Sequence, residues 1–202
     1  LPDKCPECGA PIVRDEDGVA LRCTGAECPA QRLRNIIHFA SREAMDIEGL
    51  GESVAASLVA AGLLTTPAGI YYLNAEDIAK LDRMGKKSAE NLINAIEKSK
   101  SAGLARLLCA FGIRQVGSKA GKVLAAHFGS LDAVMSAGEE ELQDIPDIGA
   151  ITARSIREWF DSEQSQHQIR LLREAGVSFE SAETVLDERF RGQTFVLTGT
   201  LP

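Results

Sequence analysis

Ile47-Glu48-Gly49-Leu50-Gly51 sets the pattern for most of this chain: apolar, any, any, apolar, glycine. The pattern returns as Leu81-Asp82-Arg83-Met84-Gly85, as Ile113-Arg114-Gln115-Val116-Gly117 and as Ile145-Pro146-Asp147-Ile148-Gly149. The closing glycines stand 34, 32 and 32 residues apart, and self-similarity at a nearly fixed period marks a repeat architecture. Apolar residues spaced by three and four, such as Leu92, Ile93 and Ile96, predict helices at 31–44, 52–61, 86–100, 104–110, 119–127 and 150–160. Each five-residue copy therefore lies between helices as a tight connection. A higher order is also visible. The helices after the first and third copies run into Gly62-Leu63-Leu64 and Phe128-Gly129. Short capped segments follow, beginning at Thr66 and at Ser130, and then the next hairpin. Asn74 and Asp77 have the spacing of a helix-start cap. The expected fold is mainly α: two tandem two-hairpin modules.

The chemistry of such a hairpin suits an anion. Its apolar pair packs the helices, and its last glycine begins the second helix, where free backbone N–H groups and the helix dipole favour a phosphate. Without a Cβ, glycine lets a phosphate backbone come close. Contacts of this kind fix register but read no bases. Cations follow the closing glycine three times: Lys86 and Lys87 after Gly85, Lys119 and Lys122 after Gly117, Arg154 and Arg157 after Gly149. Gly51 is followed instead by Glu52. A single such glycine is as well explained by helix capping; four in register, three with cations, point to DNA. Gly85, Lys86, Lys87, Arg114, Gly117, Ser118, Lys119, Lys122, Gly149, Arg154 and Arg157 are thus the candidate DNA-binding residues. Gly49 and Gly51, flanked by Glu48 and Glu52, are expected to serve the turn.

Charge supports that placement once it is read locally. The 202 residues carry a net charge of −7, which argues against a polyanionic partner. Yet from Arg83 to Lys122 there are nine Lys/Arg against two acids, and from Asp132 to Glu188 fourteen acids against four bases. A local field, not the overall balance, attracts nucleic acid. Hydrophobic residues make up 45% and charged residues 25%, enough apolar surface to fold. No apolar run is long enough to span a membrane. The chain opens on Leu1-Pro2 and closes on Leu201-Pro202, and it reads as a piece of a longer protein.

Four of five cysteines fall together, as C-x2-C-x14-C-x4-C at Cys5, Cys8, Cys23 and Cys28. Each pair sits on a short turn, and two such turns complete a tetrahedron of thiolates, the donor set of a closed structural zinc site. Ile12-Val13-Arg14 and Val19-Ala20-Leu21-Arg22 read as two short strands flanking an Asp/Gly turn. About thirty residues cannot bury a useful core, so the ion replaces one. Two disulfides or a redox pair are the alternatives. Cys109 reads as a buried small hydrophobe.

Ile47–Gly51 fits the full helix-hairpin-helix pattern, with glycine at its third and fifth positions; Arg83, Gln115 and Asp147 occupy the third position elsewhere. A four-cysteine ribbon followed by four such hairpins resembles the C-terminal half of bacterial NAD-dependent DNA ligases. The stretches 38–51, 84–91 and 112–117 are similar to that family, and 190–199 is similar to the first strand of its BRCT domain. The resemblance implies a four-cysteine zinc ribbon over 1–32, a helix-hairpin-helix DNA-binding domain over 33–178, an acidic linker over 179–189 and the first strand of a truncated BRCT domain over 190–202. It implies a monomer closing on nicked duplex DNA without sequence preference, in the bacterial cytoplasm with the nucleoid. It also implies a parent enzyme that uses NAD and Mg2+. The Lys-x-Asp-Gly nucleophile motif of that chemistry is absent; the sole Asp-Gly, Asp17-Gly18, follows Asp15-Glu16. This chain is therefore expected to bind DNA without catalysing anything.

Remaining residues read as structural. Trp159 beside Phe160 is expected to pack, His38, His127 and His167 lack partners at metal spacing, and 163–176 reads as one more amphipathic helix. One lone strand-like run at 194–197 predicts no stable domain from about 189 onward. Two rival functions are a hairpin region of another repair enzyme and a helical protein-interaction module.

Overall fold

The computed structural model describes residues 3–14, 21–25, 28–82 and 84–181. The expectation for 189 onward lies outside them. Two strands, β1 (Ile12–Arg14) and β2 (Leu21–Cys23), pair antiparallel in the register Ile12↔Cys23, Val13↔Arg22, Arg14↔Leu21. Among the described residues, the named elements after the ribbon are helices: α1 (Arg32–Ala40), α2 (Glu52–Ala60), α3 (Ala75–Ile78), α4 (Lys86–Ser99), α5 (Leu104–Ala110), α6 (Ser118–Phe128), α7 (Leu131–Ser136), α8 (Glu139–Gln143), α9 (Ala150–Asp161) and α10 (Glu163–Glu174). The four hairpins are α1–α2, α3–α4, α5–α6 and α8–α9, and the two members of each pack on one another. Three-residue and five-residue 3₁₀ turns precede α1 and α3.

Local chemistry explains the helix starts. The Asn74 side chain accepts from the Asp77 N–H at 2.9 Å, and the Ser130 and Ser162 hydroxyls cap α7 and α10 in the same way. One expected helix is shorter than its periodicity. The run 31–44 is helical only to Ala40, because Ser41 turns extended and Asp46 takes a left-handed φ of 54°. The chain folds inward there to bury Ala44 and Met45. The Arg106 guanidinium donates to the freed carbonyls of Arg42 and Ala44 at 2.9 and 2.6 Å.

One continuous core runs through all four hairpins, from Ile36 and Phe39 to Ile169, Leu172 and Phe179. Trp159 is buried against Phe111, ring centroids 4.5 Å apart, and Cys109 is buried with its thiol pushed up by desolvation. Long-range hydrogen bonds close the assembly. Tyr72 donates to the Leu171 carbonyl at 2.9 Å, joining the first module to α10. The packed part continues past the expected boundary at 178. Phe179 is buried under the Arg173 guanidinium, and the backbone of 178–181 bonds to Lys100, Leu104, Gly129 and Leu131. Residues 179–181 are thus part of the domain, not linker: one apolar side chain inside an acidic stretch pulls the chain back onto the core.

Candidate nucleic-acid interface and metal centre

The four hairpin turns are built alike. In each, the fourth residue donates to the carbonyl of the first: Leu50 to Ile47, Met84 to Leu81, Val116 to Ile113 and Ile148 to Ile145, at 2.9 to 3.2 Å. The third residue is left-handed where it is described, at φ 88° for Gly49, 63° for Gln115 and 68° for Asp147. The second residues, Glu48, Arg114 and Pro146, are not left-handed. That combination is a type II turn, which explains Pro146 at its second position. Gln115 and Asp147 thus hold the hairpin geometry without glycine, at a conformational cost of order 1 kcal/mol or more each. The apolar pairs are buried in the first, third and fourth copies and partly buried in the second.

The closing glycines Gly51, Gly85, Gly117 and Gly149 are the N-caps of α2, α4, α6 and α9. Each has an ordinary extended backbone, with φ between −94° and −81°, and no side chain caps any of these helices. A Cβ placed on any of the four would meet nothing within 4 Å. Neither backbone conformation nor packing inside the chain requires glycine at these positions. The open space lies over uncapped N–H groups at the positive end of a helix, the setting in which an oxyanion binds.

Sequence reasoning missed the residue that seats these helices. Four positions after each closing glycine stand Ala55, Ala89, Gly121 and Ala153, all buried. The repeated small residue at this spacing was the available signal. Gly121 is the tightest: a Cβ there would lie 2.6 Å from the Ala105 carbonyl oxygen of α5.

The predicted cations separate on inspection. Lys86, Lys87 and Lys122 are exposed and Arg114 half-buried, and among the described residues no acid pairs with them. Ser118 is exposed beside them. Lys119 reaches the Asp147 carboxylate of the fourth turn at 3.0 Å, both side chains well exposed. Arg154 lies 3.7 Å from Glu139, also on the surface. Arg157 is different. Its guanidinium donates to the carbonyls of Met135 and Ala137 and pairs with Asp161 at 2.6 Å, with only 24% of the side chain exposed. It locks the α7–α8 connection, so its role is internal. The predicted cations with no acidic partner among the described residues, candidates for a nucleic-acid interface, therefore lie on the second and third hairpins.

At the other end, Cys5, Cys8, Cys23 and Cys28 present four sulfurs within 4.8 Å of one another, and all four cysteines are free of disulfides. The nearest pairs are 3.4 and 3.8 Å apart, far beyond a bonded S–S of about 2.05 Å and near the roughly 3.8 Å of a tetrahedron built on zinc–sulfur bonds of about 2.3 Å. The Gly25 N–H donates to Cys23 Sγ at 3.2 Å. Backbone N–H groups of Glu7 and Cys8 hold the Cys5 thiol down at about 7, whereas desolvation pushes Cys23 and Cys28 up. The donor set and geometry fit a closed structural zinc. A Cβ on Gly25 would stand 2.8 Å from Gln164 Oε1 and 2.9 Å from Cys8 Sγ, so the ribbon sits directly against α10.

Comparison with known proteins agrees with both parts. Residues 4–30 match the NAD-dependent DNA ligase C4 zinc finger domain, 41–98 a SAM-like helix-hairpin-helix tandem and 106–169 a helix-hairpin-helix motif. The whole chain is 53% identical to a DNA ligase of Carboxydothermus hydrogenoformans, 49% to one of Caldicellulosiruptor bescii and 47% to one of Acetivibrio thermocellus. It spans about 30% of the length of these relatives. A four-sulfur ribbon joined to four hairpins, matched end to end at such identity, leaves one conclusion: the chain belongs to the NAD-dependent DNA ligase family and corresponds to its C-terminal zinc-finger and helix-hairpin-helix part.

Proposed function

We propose that this chain is the duplex-gripping part of a DNA ligase. It holds nicked duplex DNA without sequence preference, through phosphate contacts made from the minor-groove side by the second and third hairpin tips. The observation that carries this reading is the fourfold glycine N-cap with open space where a Cβ would stand. Glycine there is explained by a ligand whose backbone must come close, and Lys86, Lys87, Arg114 and Lys122, without an acidic partner among the described residues, complement that ligand's negative charge. The structural zinc folds the ribbon and anchors the start of the first hairpin. The parent protein, acting as a monomer at the bacterial nucleoid, performs adenylation from NAD and sealing with Mg2+. The Lys-x-Asp-Gly motif of that chemistry does not occur in this chain, so no step of it is assigned to these residues.

The test is binding of a labelled nicked duplex across a salt series. If each of those four cations neutralises one phosphate, log affinity falls with log salt at a slope near −3.6. Gly85→Ala and Gly117→Ala should keep the fold, losing about 1 kcal/mol or less of stability, yet weaken binding. A flat salt response, or strong preference for one sequence, overturns the reading.

A further inference from the structure

The third and fourth hairpins differ systematically when laid in register. The third reads Ile113-Arg114-Gln115-Val116-Gly117-Ser118-Lys119, and the fourth Ile145-Pro146-Asp147-Ile148-Gly149-Ala150-Ile151. Arg114, Ser118 and Lys119 are thus replaced by Pro146, Ala150 and Ile151. All three replacements are exposed, and Ile151, at 61%, is the most exposed large hydrophobic side chain among the described residues. Its counterparts in the second and third copies are Lys87 and Lys119. The fourth tip also carries an acid, Asp147, in the turn itself, where a phosphate would be repelled. The two tips are neighbours, since Lys119 and Asp147 meet at 3.0 Å. An apolar tip therefore sits directly beside a cationic one, as one surface.

We propose that the fourth tip is an apolar foot, led by Ile151, that rests on the deoxyribose edges lining the minor groove while the third tip holds the adjacent phosphates. This rests on the duplex-binding reading above. Along a nucleic-acid strand, charge and C–H surface alternate, phosphate then sugar. A surface that sets a cationic tip beside an apolar one presents the same two chemistries side by side. Ordinary exposed isoleucines occur singly on surfaces. Here one occupies a position that is cationic in two sister copies, with Pro146 and Ala150 changed in the same sense. Because the 2′-hydroxyl of RNA projects into the minor groove, an apolar foot there also favours deoxyribose over ribose.

The experiment measures affinity and salt slope on nicked duplex DNA for the wild-type chain, Ile151→Ser, Ile151→Lys and Lys122→Ser, with thermal midpoints to confirm folding. Ile151→Ser is expected to weaken binding roughly tenfold or more at every salt concentration, the scale of one apolar side chain left in water, with the slope unchanged. Lys122→Ser is expected to flatten the slope by roughly one. Replacing the deoxyriboses of one strand by riboses should weaken the wild type more than Ile151→Ser. Ile151→Ser binding as wild type overturns the foot and leaves this tip to a protein partner. Ile151→Lys binding tighter with a slope steeper by roughly one overturns it too, since the position would then face a phosphate. If the wild type itself shows no steep salt dependence, the underlying reading fails rather than the foot.

Discussion

Gly121→Ala is the sharpest test of how the third hairpin is seated. Gly121 lies inside α6, where alanine is worth up to about 1 kcal/mol over glycine by helix propensity. On that ground alone the substitution stabilises. The geometry argues the opposite. The added Cβ would lie 2.6 Å from the Ala105 carbonyl oxygen and 3.6 Å from the Cys109 nitrogen. Ordinary contact begins at 3.4 Å, so α5 and α6 must separate by several tenths of an ångström. The obstructing atoms are main chain and cannot rotate away. Overpacking of this kind costs about 1–3 kcal/mol, and the rigid backbone puts it in the upper half of that range. The net expectation is a loss of about 1–2 kcal/mol, read as a lower urea midpoint at unchanged slope. Gly117→Ala is the control, because its Cβ meets nothing. Unchanged or greater stability in Gly121→Ala would show that the close crossing of α5 and α6 is not what fixes this hairpin.

Other expectations follow from the same geometry. One zinc is expected per chain, and Cys23→Ser should lose the metal and unfold the ribbon; metal analysis below half an equivalent in reduced wild type contradicts this. Lys86→Glu with Lys87→Glu should weaken duplex binding roughly tenfold or more, a loss of about 1.4 kcal/mol, whereas Glu52→Gln should leave it unchanged or slightly tighter. Asp147→Asn frees Lys119 and removes an acid from the surface, so affinity should rise at low salt with stability nearly unchanged, as exposed pairs contribute about 0–1 kcal/mol. Burial pushes the Tyr71 hydroxyl up to about 12, against the Ser99 hydrogen bond that lowers it. Its neutral form is favoured in the fold, so stability is fully present below about pH 10 and lost as pH rises towards 12, by about 2–3 kcal/mol. Tyr71→Phe should lack that alkaline loss in denaturation measured across pH.

The readable parts of this fold are those set by local chemistry. The closing glycines, the Asn74 and Ser130 caps and the cysteine quartet each act within a few residues, so spacing alone reveals them. Left-handed Gln115 and Asp147 were hidden because these residue types tolerate that conformation without requiring it. The end of α1 at Ala40 was hidden because the carbonyls it frees are bonded by Arg106, more than sixty residues away. Arg157 looked like a DNA-facing cation from its place after Gly149. Its partners, Met135 and Ala137, lie on another element, and only the tertiary fold brings them within reach. The contact between Gly25 and Gln164 joins opposite ends of the chain and leaves no periodic trace.

The hydrogen bonds made by 178–181 bear on the order in which this protein becomes complete. Ser178 donates to Lys100, Leu104 to Glu180, Leu131 to Phe179 and Ser181 to Gly129, so the last described residues fasten both ends of the third hairpin, at the α4–α5 and α6–α7 junctions. During synthesis the hairpin emerges first and its fastening arrives some fifty residues later. At about 5–20 residues per second that is an interval of several seconds. Through that interval α5 and α6 can pair, but their flanking junctions stay open. A nascent chain would thus carry the second hairpin formed before the third is set, and both junctions would close only once residues 178–181 leave the ribosome.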